Sequence, residues 1–253
     1  MTLLPIPDNN SLVEVTLSDS TNATFDAPIH SHKQGQLVLP LIGSMVCEVD
    51  NQIWMAPPET AVWIPPQRPH TNKALSKATF CFVYIHPDHV PLPNQSCTLT
   101  ITPLVREIII HIAKLTPDQF GTPLYHKLSE LLLDMLPTLV HEQLNFPLTD
   151  DPQLKKVANT LLSNPADRRT INEWATSLAM SEKTFTRLVK KQTGMTFGQW
   201  RRQLHIVLSL QFLSQGHSVQ ITSELLGYES VTAFITMFKK ALGVSPKRYH
   251  TQR

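Results

Sequence analysis

Residues 175–197 recur about 48 positions later in the same chain, and this repetition limits what the chain can fold into more than any other feature. Ala175 and Ala179 align with Ser223 and Gly227 at an offset of 48. One inserted residue then moves the offset to 49, which pairs Phe185 with Phe234, Leu188 with Met237, Lys190 and Lys191 with Lys239 and Lys240, Gly194 with Gly243, and Thr196 with Ser245. Two copies are too few to stack as a solenoid, so the unit is a small motif used twice.

Each copy spells helix, tight turn, helix. Thr170 with Glu173 three residues later is a capping box that opens a helix over Ile171–Ser177. Leu178-Ala179-Met180 reads as the turn, with small residues at 175 and 179 letting two helices cross closely, and Ser181 caps a second helix that ends at Gly194. With Phe185 and Leu188 turned inward, Lys183, Thr184, Thr186, Arg187, Lys190 and Lys191 face outward as a cationic, hydrogen-bonding surface. The second copy runs Val219–Leu225, turns at Leu226-Gly227-Tyr228 and continues as a helix from about Ser230 to Ala241. Between the copies, FGQWRRQLHIVLSLQFLSQ reads as an amphipathic helix of about 18 residues, or ~27 Å. Helix-turn-helix units insert their second helix into a DNA major groove, and this spacer suits two adjacent grooves ~34 Å apart.

The charge distribution agrees. Residues 1–150 hold seven Lys/Arg and fourteen Asp/Glu, whereas residues 151–253 hold fifteen and six, so a net charge of +2 conceals an acidic half and a basic half. Prolines cluster in APPETAVWIPPQRPH and HPDHVPLPN and exclude long helices there. Between them lie strand-like runs, GQLVLPLIGSMVCEVDN, QIWMA, TAVWIP and ATFCFVYIH, so the first hundred residues read as an all-β barrel or sandwich. After Thr102 the periodicity becomes helical in PLVREIIIHIAKL and PLYHKLSELLLDMLPTLVHEQL, a connector whose apolar faces suit a homodimer. The stretch Phe146-Pro147-Leu148-Thr149-Asp150-Asp151-Pro152 reads as the joint between the halves.

A composition 42% hydrophobic and 17% charged excludes a disordered tail. No run approaches the ~18 apolar residues of a membrane span. The N-terminus shows no export signal, which predicts a cytoplasmic protein. Three cysteines without metal-ligand spacing exclude both a disulfide framework and a zinc finger.

The last hundred residues resemble the DNA-binding domain of AraC-type bacterial transcriptional regulators. The resemblance is carried by TINEWATSLAMSEKTFTRLVKKQTGMTFGQWRRQL and by SVQITSELLGYESVTAFITMFKKALGVSPKRYH, with Gly227-Tyr228, Phe234, Phe238-Lys239, Gly243, Pro246 and Tyr249. It implies double-stranded operator DNA and RNA polymerase as partners, and base-reading positions at Lys183, Thr186 and Arg187 in the first recognition helix and Val231, Thr232 and Thr236 in the second. Ser181, Thr184, Lys190, Lys191, Lys239 and Lys240 complete the expected DNA surface. The second helix departs from the family pattern because it offers no bidentate side chain, only hydroxyls and a Val that can meet a thymine methyl.

In the acidic half, His30 and His32 are two apart in a strand-like stretch and so point to one side. With Gln36, Gly43 and the later PPQRPH ending at His70, they resemble the two motifs of the cupin barrels, whose three His and one Glu can hold a divalent metal. Gln36 stands where cupins place Glu, and Gln67 where they place Gly. An uncharged amide is a weaker ligand than a carboxylate, so the set suits Zn or Ni better than Fe or Mn. Alternatively His30, His32 and His70 line a pocket for an organic effector, with Gln36, Trp54, Trp63 and Tyr84 as its amide and aromatic wall.

The expected architecture is therefore two-domain α+β: a cupin-like β-barrel effector domain over 1–100, a helical connector over 101–149, and an all-α domain with two helix-turn-helix motifs over 150–253. No catalytic residues are expected, because the chain has no phosphate loop, nucleophile elbow or HExxH. A ligand-responsive regulator needing no cofactor competes with two alternatives. One is a cupin metalloenzyme with a DNA-binding tail, and the other a constitutive DNA binder whose barrel only dimerises.

Overall fold

The computed structural model describes residues 11–20, 25–57, 59–74, 77–89, 92–142 and 144–251. Residues 1–10 of the N-terminal stretch expected to lack an export signal lie outside the described residues. Two compact units emerge, Met1–Asp50 with Trp54–Leu144, and Asn51–Ile53 with Asn145–Arg253.

The proline-punctuated runs form β1 (Val13–Asp19), β2 (Asp26–His30), β3 (Gly35–Ile42), β4 (Met45–Val49), β5 (Gln52–Ala56), β6 (Thr60–Ile64), β7 (His70–Ala74), β8 (Thr79–Ile85), β9 (Cys97–Thr100) and β10 (His141–Glu142), all within the first unit except the first two residues of β5. One sheet has the order β1-β8-β3-β6-β9-β10, and the other includes β5-β4-β7-β2. Among the described residues these remain two sheets, with β1 and β10 as edges of the larger, instead of the expected closed barrel.

The two helices expected to act as a connector, α1 (Pro103–Ala113) and α2 (Pro123–Met135), instead cover the larger sheet. Val105, Ile108, Ile109 and Ile112 of α1 and Tyr125 and Leu132 of α2 pack on Val15, Leu37, Leu39, Trp63, Val83 and Leu99. The Tyr125 hydroxyl donates to Val13 O at 2.6 Å. On the other face of the same sheet, Val38, Val62, Ile64, Phe80, Phe82 and Tyr84 pack with Met45, Cys47, Val49 and Trp54. Covered on both faces, β6 is buried at every residue and β8 at all but its first. That is why TAVWI and TFCFVYI lack polar alternation.

The second unit contains β11 (Asn145–Pro147), α3 (Pro152–Ser163), α4 (Ile171–Ser177), α5 (Glu182–Thr193), α6 (Phe197–Ser214), α7 (Val219–Leu225), α8 (Val231–Leu242) and α9 (Pro246–Thr251). The stretch expected to be a joint is built into this unit. Phe146 stacks on Trp200 with ring centroids 5.2 Å apart, the Trp200 indole donates to Pro147 O at 2.9 Å, and Leu148 N donates to Asn51 O at 2.8 Å. Asp151 caps α3 through Gln153 N and Leu154 N, with Pro152 in the first helical turn.

The capping chemistry of the repeat appears as expected. Thr170 and Glu173 form their box, Ser181 and Ser230 cap α5 and α8, and Gly194 and Gly243 close those helices in the left-handed conformation. The spacer differs from its expected amphipathic form, because residues 204–210 of α6 are buried consecutively. The turn also has a backbone reason for its small residues. Ala179 and Gly227 both take positive φ, 54° and 73°. Steric exclusion at 227 adds to this, since a Cβ there would lie 2.7 Å from Ala166 Cα.

Two predictions follow from this packing. Gly227→Ala combines left-handed strain with a backbone clash and should cost about 2–4 kcal/mol, whereas Gly243→Ala, whose added Cβ meets nothing within 4 Å, should cost about 1–2; urea melts of the two variants check the difference. The second concerns His205, which is 5% exposed and whose pKa burial, then Arg201, lowers from 6.5 to about 4. The unfolded chain takes up this proton first, so the His205 contribution is complete above pH 6.5 and is lost as pH falls towards 4, at a cost of roughly 3 kcal/mol. His205→Gln should flatten that part of the stability profile, and an unchanged profile would remove His205 as its source.

Candidate nucleic-acid interface and histidine site

Helix α5 turns Phe185 and Val189 into the core and leaves Leu188 only half-buried. The inward residue is thus Val189 alongside Phe185, one position beyond the expected Leu188. On the outer face Lys183, Arg187 and Lys191 are exposed, and no hydrogen bond or ion pair engages them among the described residues. Other members of the expected surface serve the helix itself. Ser181 Oγ accepts from Thr184 N at 3.2 Å and lies 2.9 Å from Thr184 Oγ1, Thr186 Oγ1 donates to Glu182 O at 2.7 Å, and Lys190 Nζ donates to Gly194 O at 2.7 Å.

Helix α8 repeats this face with different chemistry. At the 49-residue offset Lys183 becomes Thr232 and Arg187 becomes Thr236, and both threonines are exposed. Thr236 Oγ1 donates to Thr232 O at 2.9 Å, so its hydroxyl proton is engaged and it faces outward as an acceptor. Val231 is half-buried, and Lys239 and Lys240 are exposed near the helix end. At two of the expected reading positions one unit therefore presents cationic donors where the other presents hydroxyls, and both carry two lysines near the helix end.

Sequence reasoning missed a cleft of about 230 Å³ lined by Gly198, Arg201, Arg202, His205, Leu226, Gly227 and Tyr228. The arginine pair in FGQWRR was its only visible signal.

In the first unit, strand register places the histidines. Gln36 sits opposite Tyr84 and Ile64, while His70 sits opposite Val49 and His30. His30 is the last residue of β2, after a register shift, and His32 lies just beyond the strand. Ring centroids are 4.3 Å apart for His30 and His70, 5.1 Å for His32 and His70, and 5.2 Å for His32 and Tyr84. One ligand atom from each of the three histidines lies within 4.8 Å of the others.

The tautomers follow from the partners. His30 Nδ1 lies 2.8 Å from Pro28 O, His32 Nδ1 2.7 Å from Gln34 O and His70 Nδ1 2.7 Å from Arg68 O. A carbonyl only accepts, so each Nδ1 carries the proton and each neutral ring offers a lone pair at Nε2. His30 Nε2 and His70 Nε2 are buried without a partner, and His32 Nε2 lies 3.4 Å from Gln36 Oε1. Burial lowers the pKa of His32 and takes that of His70 to about 4, so both rings are neutral near pH 7.

Trp54 shares the interior cluster with Tyr84, but Trp63 does not join it. Alternation along β6 sends Val62 and Ile64 to that side and Trp63 to the opposite face, where its indole donates to Pro93 O at 2.8 Å and Gly35 makes room for it. Asn72 is a residue that sequence reasoning missed: it follows His70 by two on β7, is fully buried, and has neither amide atom hydrogen-bonded. Gln67, where a cupin has Gly, holds the left-handed conformation with φ of 62°. The three cysteines are all buried thiols, with burial taking Cys97 up to about 11.

Residues 174–252 match the family model described as a helix-turn-helix domain. The chain is 42% identical to the HTH-type transcriptional regulator NimR of Escherichia coli over 223 residues, which cover 88% of this chain and 82% of NimR. It is 27% identical to the HTH-type transcriptional regulator RipA of Corynebacterium glutamicum over 49% of this chain and 35% of RipA. Among solved structures, ToxT of Vibrio cholerae aligns over 96% of both chains at 14% identity and a TM-score of 0.39. No helix among the described residues is long and apolar enough to cross a membrane. With 42% identity to a named regulator over 88% of the chain and two helix-turn-helix units in one domain, the chain belongs to the AraC-type transcriptional regulators, which are DNA-binding proteins and not enzymes.

Proposed function

We propose that this regulator acts in the cytoplasm as a homodimer on operator DNA, reads sequence mainly through α5, and answers to an effector bound at the histidine site. The observation that carries the DNA part is the asymmetry of the repeat. Lys183 and Arg187 stand free on α5, and their counterparts on α8 are Thr232 and Thr236. An arginine reads guanine with two hydrogen bonds, whereas a threonine makes weaker and more permissive contacts. Helix α8 then positions the duplex through Lys239 and Lys240. RNA polymerase is the partner through which such binding acts on transcription.

The homodimer is supported by α2. Leu124 and Leu131 are exposed at 55% and 44%, and with the half-buried Leu128 and Met135 they form a stripe at spacings of four, three and four residues, the period of a two-helix seam. The opposed sheets and the placement of the histidines support a cupin-like domain.

The effector is a small molecule or a divalent metal, and one observation favours the metal. The three histidines offer Nε2 lone pairs, two of them buried and unpartnered, so the imidazoles themselves accept and do not donate. Zn or Ni is suited by neutral imidazoles whose other nitrogen is tied to a carbonyl. The residues therefore fit the group: His30, His32 and His70 would hold it, with Gln36 beside them. An organic effector would meet the same lone pairs with its own donors and reach the amide of Asn72.

Arg187→Ala should lose about 1–3 kcal/mol on an operator selected from random duplexes, with relaxed preference at one base pair, and Lys240→Ala should weaken operator and scrambled DNA alike. An anisotropy titration in which Arg187→Ala weakens both equally would overturn the assignment. For the histidine site, protein purified without chelator should carry about one Zn or Ni per chain, and the His30→Ala/His32→Ala variant none. Metal-free wild type that also fails to take up added Zn or Ni would leave the organic effector.

A further inference from the structure

The cleft at the foot of the second helix-turn-helix unit contains an arginine without a counter-charge. Arg201 is half-buried between the start of α6 and the Leu226-Gly227-Tyr228 turn. Among the described residues its guanidinium makes neither a hydrogen bond nor an ion pair. Asp167, the carboxylate whose charge acts on it, is already held by Arg169 through several contacts, the shortest 2.6 Å. Arg202 lines the same cleft. Arg168 adds a third cation, since its Nε donates to Gly227 O at 2.9 Å, and its partner Glu229 has a side chain 85% exposed.

The remaining walls add no anion. His205 Nε2 lies 3.2 Å from Pro165 O, so it carries the proton, and Nδ1 accepts from the Tyr228 hydroxyl at 3.2 Å. That hydroxyl proton is therefore engaged. Gly198 leaves its side of the cleft open, because a Cβ there would meet nothing within 4 Å. A partly desolvated guanidinium with its donors free, a second guanidinium beside it and room of about 230 Å³ call for a compact oxyanion, and a phosphate matches the planar fork of an arginine with paired oxygens.

We propose that Arg201 and Arg202 form a phosphate-binding site beside the second helix-turn-helix turn, and that its occupant is a backbone phosphate of bound DNA. This rests on the DNA-binding reading above and adds an anchor to it. The turn ends two residues before Ser230, the cap of α8, so a phosphate in the cleft fixes the strand at the entry to the helix that lacks charged reading residues. The unit then holds its position through the backbone at both ends of α8, with Arg201 and Arg202 at one and Lys239 and Lys240 at the other.

The test uses the full chain, a random-sequence duplex and, separately, inorganic phosphate. Arg201→Gln should weaken duplex binding about tenfold at moderate salt and reduce the slope of log affinity against log salt by about one. Arg201→Lys, which keeps the charge and loses the fork, should retain most of the slope, and thermal melts show whether either variant is folded. A slope unchanged in Arg201→Gln, with inorganic phosphate binding by wild type abolished in the variant, would keep the site and assign it to a free phosphate-type anion. An unchanged slope with no phosphate binding by folded wild type would overturn the site. If wild type bound no DNA at all, the DNA reading would fail, and the phosphate titration would still decide the cleft.

Discussion

The DNA-binding half depends on a single helix, α6, that is buried on every side over residues 204–210. Each recognition helix contributes only two fully buried residues, Phe185 and Val189 from α5 and Phe234 and Phe238 from α8, too little to hold a two-helix unit on its own. Helix α6 supplies the missing surface to both units at once, which explains the unbroken burial of residues 204–210. The polar groups on that stretch are accommodated internally. Ser209 Oγ donates to Ile206 O at 2.7 Å, and His205 bridges Pro165 O and the Tyr228 hydroxyl. At its N-terminal end Trp200 lies against Phe197 as well as Phe146. A rod held this tightly fixes the separation of the two units by its length.

The β unit meets the opposite problem, since it buries polar groups that have no internal partner. Burying an amide or imidazole without a hydrogen bond costs about 1–3 kcal/mol, and His30, His70 and Asn72 all carry such atoms. Helices α1 and α2 cover the far side of the larger sheet with mostly aliphatic residues, whereas His70 and the Tyr84 ring beside His32 lie on its other side.

Sequence determined the boundaries of the repeat closely because local chemistry sets them. Thr170, Ser181, Ser218 and Ser230 cap helices with their own side chains, and a cap depends on neighbours within three residues. What sequence left illegible depends on distant partners. Helix α3 has the Asp-Pro start of a helix, yet the same residues read equally well as a linker until Phe146 is seen stacked on Trp200. Trp63 counted as a pocket residue until the phase of β6 turned it to the helical side. The periodicity of α6 cannot show that both faces are covered. The histidine triad was legible because its spacing is local to one strand end and one strand start. Asn72 was not, since nothing in a lone asparagine reveals that both of its amide atoms will be buried.

The duplication also shows how one scaffold comes to divide its labour. Some core and closing positions are the same in the two units, with Phe185 facing Phe234 and Gly194 facing Gly243 in the alignment, because close helix crossing and a left-handed stop admit few residues. The outer positions are bound by no such constraint, and there Lys183 and Arg187 give way to Thr232 and Thr236. A charged donor at a reading position adds affinity and discrimination together, whereas a hydroxyl adds little of either. The lysine pair near the helix end is kept in both units, as Lys190 and Lys191 and as Lys239 and Lys240, so the two units differ at the outer positions nearer the helix start.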